Sequence, residues 1–504
     1  MPPSHTRPPS RRLRRYGPIL AFLVPSAVRA VPEILMGPYP TGFDPMGYYV
    51  PIVLTWLREG VGFWRCVATA PLLYLLLILA TSLRAPLTLT LKALAPLLHG
   101  LLSLTIYTYA TKALKWPPGK SVCTALLATL YFVAMRVSWD LLRNQLALAL
   151  LFTALTLLQE RDNTPKNVAA SLTMALVVLT NQLASVVMFA ITAATIAATL
   201  LKGEKTHARK LTLISLPSVL LFLLVLYANF RLSTHFAETF YFPRQEPEGH
   251  LSLFGFQSYP EMAATAAAFT AYCYLPLTPP ALKGAKTLKD TQLRAWTLFC
   301  LLAPLTPVVF ARFWYRWTLM LTYPLSFYAV EGVANITSKT RRLYTSIALA
   351  TTVAVLTSTF IATPCDRPFP YYAIRRFQIY IPSSMLQNTV PLEDCPHVED
   401  CLNWLKQNMD ENSILIVHKA FHGWALLHLN PDQIQPYGYG NPETAAKQAL
   451  QQGHNTVYLI WWTQGKGWHG QPSAPPSFKE VYRSGDIAIY VYASSPDAEP
   501  ASHI

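Results

Sequence analysis

The sequence predicts an α-helical polytopic membrane protein, with about eleven spans, a re-entrant or interfacial helix, and a C-terminal extracytoplasmic α/β domain. Three observations predict it. Of the 504 residues, 52% are hydrophobic and only 13% are charged, against roughly 25% charged in soluble domains. The apolar residues gather in runs about as long as a bilayer core requires. After residue 362 those runs stop, and short β-branched and aromatic stretches alternate with helically spaced ones. The net charge of +15 lies between the apolar runs, so it reads as membrane orientation. No basic and aromatic groove pattern points to nucleic acid.

Residues 1–16 are basic and proline-rich, which predicts a cytoplasmic tail ahead of a retained first span. Apolar segments follow at 17–36, 66–83, 87–113, 121–138, 144–159, 167–181, 183–201, 211–230, 261–280, 294–311, 317–336 and 343–361. Basic clusters at Arg11 to Arg15, Lys112 to Lys120, Lys202 to Lys210, Lys283 to Lys289 and Lys339 to Arg342 should face the cytoplasm. Alternation from Lys112 onward then leaves residues 363–495 outside. Counting back from Lys112, one segment must fail to cross. "CVATAPLLYLLLILATSL" (66–83) is short, holds Pro71 and is flanked by Arg65 and Arg84, so it is the one read as re-entrant. It falls within a first external loop of about residues 37–86.

The transmembrane domain is thus read as 17–362, the α/β domain as 363–495, and residues 496–504 as a disordered tail. In the α/β domain, "HVEDCLNWLKQNM" has helical spacing, and "SILIVHK", "NTVYLIWW" and "DIAIYVY" read as strands. Cys365, Cys395 and Cys401 lie in this region, where an external location would permit a disulfide.

The candidate chemical groups collect at the outer ends of the apolar segments. Asp44, in "YPTGFDPMGYYVP", precedes Pro45, which predicts a helix N-cap as well as a carboxylate facing a water-filled cavity. Arg29 and Glu33 are four apart, either a neutralised pair or, through Arg29, an anion site. "MRVSWDLLRNQ" gathers Arg136, Asp140, Arg143 and Asn144 at one turn, and Gln182 sits at another. Arg312 and Arg316 are interleaved with aromatics, which suits either an interfacial belt or a phosphate clamp.

Arg29 closing the first span, Asp44 with Tyr48 and Tyr49 in the first loop, and "LREG" after them resemble the start of the GT-C glycosyltransferases. "APLLYLLLILATSL", "SWDLLRNQLALALLFTALTLL" and "RFWYRWTLMLTYPLSFYAVEGV" resemble further parts of that superfamily, the last in its archaeal members. The resemblance implies transfer of a sugar from a polyprenyl-phosphate carrier to a protein, lipid or glycan acceptor at the outer face of a plasma membrane. It implies catalytic acids at Asp44 and Asp140. It implies substrate contacts from Arg29, Tyr48, Tyr49, Arg136, Arg143, Asn144, Gln182, Arg312 and Arg316. The cofactor reading has two branches: a divalent cation, Mg or Mn, on Asp44 and Asp140, or none. Two departures stand out: Pro45 replaces the second acid common after the first, and the first loop has no DxD pair. "WWTQGKGWHG" differs from the WWDYG signature of oligosaccharyltransferases at Thr463 and Gln464, and reads as a strand end with an aromatic sugar platform as its functional alternative. Two rival readings remain. A transporter of lipid-linked glycans would place its charges near mid-membrane on several spans. A GT-C-like scaffold without catalysis would fit the missing acids.

Overall fold

The computed structural model describes residues 11–159, 164–232, 258–305 and 314–493, apart from 368, 370, 372–376, 379, 439 and 465–472. The membrane part contains α1 (Arg11–Leu35), α2 (Val50–Glu59), α3 (Phe63–Ala68), α4 (Leu72–Ser82), α5 (Leu87–Lys112), α6 (Pro118–Leu130), α7 (Phe132–Asp140), α8 (Leu142–Leu158) and α9 (Thr164–Val178). It continues through α10 (Gln182–Leu201), α11 (Lys205–Leu232), α12 (Tyr259–Tyr274), α13 (Thr278–Thr287), α14 (Thr291–Leu302), α15 (Trp314–Met320), α16 (Thr322–Ala334) and α17 (Lys339–Ala362). Five of these, α1, α5, α10, α11 and α17, are long and apolar enough to cross a bilayer. A sixth crossing forms if α6 and α7, bent by 59° at Tyr131, count as one broken span. The other apolar segments fold as shorter helices, so length alone does not carry the count of eleven. The chain is a multi-pass membrane protein.

The segment 66–83 breaks in two. Ala70 takes a positive φ of 49°, and α4 runs for only 11 residues. That is about 16 Å of rise, half of a ~30 Å hydrocarbon core. The backbone N–H of Leu72 donates to Leu179 O at 2.8 Å, tying the break to the α9–α10 turn.

Asp44 differs from its expected helix-cap role. Its backbone is already helical (φ −60°, ψ −38°), and its side chain caps nothing. Pro45 instead opens a single π-helical turn, Pro45–Tyr49, that leads into α2. Such turns add a residue to the helical ladder and recur at functional sites.

The C-terminal domain comprises α18 (Cys395–Asn408), β1 (Ser413–His418), α19 (Lys419–His428), β2 (Ile434–Gly438), α20 (Pro442–Gln451), β3 (Thr456–Trp462), β4 (Phe478–Ser484) and β5 (Ile487–Tyr492). The sheet order is β2-β1-β3-β5-β4. The pairs β1–β2 and β1–β3 are parallel, and β3–β5 and β5–β4 antiparallel. All six residues of β1 are buried, as a central parallel strand covered on both faces requires. The cysteines of this region are thiols: Cys365, Cys395 and Cys401 form no disulfide, and each approaches a backbone carbonyl, of Leu386, Pro391 and Ile487 respectively.

This domain docks on the first loop. Tyr39 Oη donates to Glu399 Oε2 at 3.1 Å and its ring meets Trp424 at 5.4 Å. Trp139 Nε1 donates to the carbonyls of Met385 and Gln387, both at 3.1 Å. At the closest point, α19 lies against the π turn: a Cβ on Gly423 would overlap Met46 O. Only glycine permits that approach. Gly423→Ala is expected to cost about 1–3 kcal/mol, read as a lower thermal midpoint in detergent and faster proteolysis near residue 423. An unchanged midpoint would contradict the contact.

Candidate active site

The loop carrying Asp44 is held by buried charge. Glu33 accepts from Thr41 N at 3.2 Å and Thr41 Oγ1 at 2.5 Å, and pairs with Arg29 at 2.9 Å and Lys92 at 3.6 Å. Lys92 also donates to Tyr39 O at 2.8 Å. Arg29 completes the knot by donating to Thr41 Oγ1 at 2.8 Å and Ser138 O at 3.1 Å. Arg29 is 0% exposed. Of the two readings the sequence allows, the structure shows the neutralised pair with Glu33, and the guanidinium also bonds α1 to the first loop and to α7.

Two acids are brought to neighbouring backbone. Gly42 adopts φ +92°, and a Cβ there would overlap the Trp139 carbonyl oxygen and approach Asp140 Cα to 2.8 Å. Tyr49 Oη donates to Asp140 O at 3.2 Å. The turn of Asp44 is thereby pressed onto the end of α7, where Asp140 sits. Both are buried, at 6% and 4% exposure. Asp140 forms an ion pair with Arg136, and Arg316 and Arg29 also act on its charge. Arg136 in turn donates to Tyr380 O at 2.7 Å. Arg316, on α15, is half-buried against Tyr315. Arg312 lies outside the described residues.

Arg143, Asn144 and Gln182 form a second cluster around the break before α4. Arg143 donates to Thr69 O at 2.6 Å and Thr180 O at 3.1 Å, with its guanidinium 5.2 Å above the Tyr74 ring. Asn144 accepts from Asn181 at 2.8 Å, and Gln182 donates to Ala68 O at 3.2 Å. These bonds fasten the first loop to the two turns beside it.

A divalent cation of the Mg kind takes about six oxygen ligands. No group of three or more His, Cys, Asp or Glu among the described residues could hold a metal. Asp140, one of the two expected ligands, already faces a guanidinium. The described side chains alone therefore do not complete the coordination of such an ion.

A cavity of about 440 Å³ opens where the first loop meets the C-terminal domain. Gly47 and Tyr48 of the π turn, Trp56 of α2 and Arg65 of α3 form one wall, and Lys419 and His422 of α19 the other. Lys419 Nζ lies 3.2 Å above the Tyr48 ring centroid, a close cation–π contact. Arg58 and Asp432 pair across the rim. Lys419, His422, Trp56 and Arg65 escaped the sequence reading. The signal for the first two was present: "VHKAFHG" ends a parallel strand and opens a helix, and α/β sheets bind ligands outside the carboxyl ends of their strands. Trp461 and Trp462 are no sugar platform. Both are buried, and Trp462 Nε1 donates to Asp394 Oδ2 at 2.9 Å.

The same arrangement of bundle, first loop and C-terminal domain occurs in solved structures. ArnT from Cupriavidus metallidurans bound to undecaprenyl phosphate superposes with a TM-score of 0.58 at 13% identity, covering 95% of this chain and 99% of that one. Its apo state gives 0.54 at 12% identity, over 90% and 94% of the two chains. The chain shares the fold of this protein. The arabinofuranosyltransferase AftD from Mycobacteria also shares it, with a TM-score of 0.55 at 12% identity, over 96% of this chain and 40% of AftD. No family model matches the sequence, and neither does any curated protein. Within this fold, the cavity lies at the seam between membrane and C-terminal parts.

His422 supplies a test of that seam. Burial, and next the charge of Lys419, push its imidazole down to about 4. The unfolded chain takes up this proton near pH 6.5 and the folded chain only near 4, so stability falls as pH drops from 6.5 toward 4. The loss from His422 is expected to reach about 3 kcal/mol at full protonation. Unfolding curves across that window measure it. His422→Gln should flatten this part of the profile, and an unchanged profile would show the imidazole to be solvated.

Proposed function

We propose that this chain is a membrane glycosyltransferase that moves a sugar from a polyprenyl-phosphate carrier to a protein, lipid or glycan acceptor. The reaction takes place at the outer face of the plasma membrane, with about eleven crossings, a cytoplasmic N-terminus and the C-terminal domain outside. The observation that carries the reading is the cavity at the seam, walled by Gly47 and Tyr48 of the π turn and lined by Arg65 on one side and Lys419 on the other; Asp44 precedes that turn and lies behind the wall, outside the lining. ArnT, which has this fold, was solved with undecaprenyl phosphate.

In this reaction the acceptor hydroxyl gives its proton to Asp44. Its oxygen forms the new bond to the anomeric carbon, and the bond from that carbon to the carrier phosphate breaks. The polyprenyl phosphate leaves with the electron pair. Negative charge grows on the phosphate, so preplaced cations lower the barrier. Lys419, Arg65 and Arg316 are assigned that role, together with Arg312. Tyr48 holds Lys419 in place, and Trp56 offers a flat face to a sugar ring. Arg29, Arg143, Asn144 and Gln182 act by fixing the loop, and Tyr49 by holding the Asp140 backbone. Asp140, paired with Arg136, sets the local charge without accepting a proton.

The scaffold reading draws on one observation, that Arg136 already occupies Asp140. A single experiment separates the two. Full-length protein in liposomes is given a polyprenyl-phosphate sugar labelled in the sugar, and release to water or to added acceptors is followed. Wild type is expected to release label, with or without chelator. Asp44→Asn should lower the rate by at least about 100-fold while carrier binding persists, the usual scale for a general base. Lys419→Met should weaken carrier binding. Equal rates in wild type and Asp44→Asn would overturn the assignment of the base. Carrier bound but never released, across a panel of acceptors, would favour the scaffold.

A further inference from the structure

The first half of α17 stands away from the bundle. Its buried residues, Leu356, Thr357, Phe360 and Ile361, all fall in the second half. Leu343, Tyr344 and Ile347 are 58%, 68% and 53% exposed. Between α17 and the faces of α1, α6 and α16 lies a groove of about 1220 Å³. This exceeds the ~300–1,000 Å³ of small-molecule sites. Its walls are apolar, with Leu343, Leu349 and Val353 of α17 opposite Val28, Leu126 and Val330. The groove follows α17 from Lys339 to Ala362, about 35 Å of helical rise, the depth of a bilayer core. An empty gap of this size would forfeit dispersion contacts on both walls, so in a membrane it is filled by lipid.

One end of the groove is charged. Lys120, Lys339 and Arg342 line it, and no carboxylate does. Glu331 neutralises Lys120. Lys339 and Arg342 are exposed and one turn apart. The first turn of α17 contains no acid, so these cations add to the positive end of the helix dipole, where an anion is stabilised. Membrane orientation explains why cations lie at this end of α17. It does not place them at the mouth of an apolar groove.

We propose that this groove binds an anionic membrane phospholipid, with its phosphate on Lys339 and Arg342 and its acyl chains laid along α17. The site is separate from the cavity at Tyr48 and does not depend on glycosyl transfer. It would steady a helix that otherwise touches the bundle over half its length.

The test uses the full chain, stripped of lipid in detergent. Its thermal midpoint is titrated with phosphatidylglycerol and with phosphatidylcholine of the same chain length, and retained lipid is read by native mass spectrometry. Wild type should retain the anionic phospholipid and be stabilised more by it than by the zwitterionic one. With each cation contributing about fivefold near a membrane surface, the Lys339→Gln/Arg342→Gln variant should lose that preference by tens-fold and keep its fold. Ala350→Trp, which fills the groove, should weaken binding of both lipids. Equal stabilisation by the two lipids in wild type would overturn the proposal. So would a preference retained in the charge variant, or a polyprenyl phosphate held in the groove in place of phospholipid.

Discussion

The first loop depends on a single buried carboxylate. Glu33 is 4% exposed and sits among two cations and two donors from Thr41. Removing one partner of such a group costs about 3–5 kcal/mol, because the others are left buried without compensation. That penalty fixes the chain between Met36 and Asp44: it cannot leave Glu33 without exposing Arg29 and Lys92 to an apolar interior. Through Arg29 the same knot reaches the Ser138 carbonyl, so α1, the loop and α7 move together. The turn that follows inherits its position from this charge cluster.

Close backbone contact does the rest. Gly42 lies on the Trp139–Asp140 backbone and Gly423 on Met46, so the loop is gripped from the membrane side and from the C-terminal domain. Small residues at such points permit approaches that a side chain would prevent. A cavity lies beside the second contact, with α2 and α3 on one side and α19 and β2 on the other. The C-terminal domain therefore supplies half of the site. Its parallel strand β1 ends at His418 and delivers Lys419 and His422 to the wall.

Patterns of short range were legible in the sequence. The apolar runs gave the membrane bundle, Pro71 between two arginines marked the segment that breaks, and alternating short runs marked the α/β domain. Span number was less legible, since α8, α9 and α14 are shorter than a bilayer core is deep. The roles of single charges were legible only in part. Arg143 looks like a free guanidinium in the sequence, yet it is occupied by the carbonyls of Thr69 and Thr180; the pairing of Arg29 with Glu33 is legible from their spacing, but its bond to the distant Ser138 carbonyl is not. Asp44 followed by Pro45 has the form of a cap, but the turn after it is a π helix packed against α19. Lys419 stacks on Tyr48 across 371 positions of chain, a pairing that no local motif encodes.

The central claim is that the reacting sugar sits at the seam between first loop and C-terminal domain. An electron cryomicroscopy structure with a polyprenyl-phosphonate sugar, whose anomeric bond cannot be cleaved by transfer, tests it most directly. The account predicts the phosphonate beside Lys419 and Arg65, the sugar against Trp56, and the anomeric carbon on the side of the Asp44 turn. Density for the carrier headgroup elsewhere in the bundle, with the seam cavity empty, would contradict it.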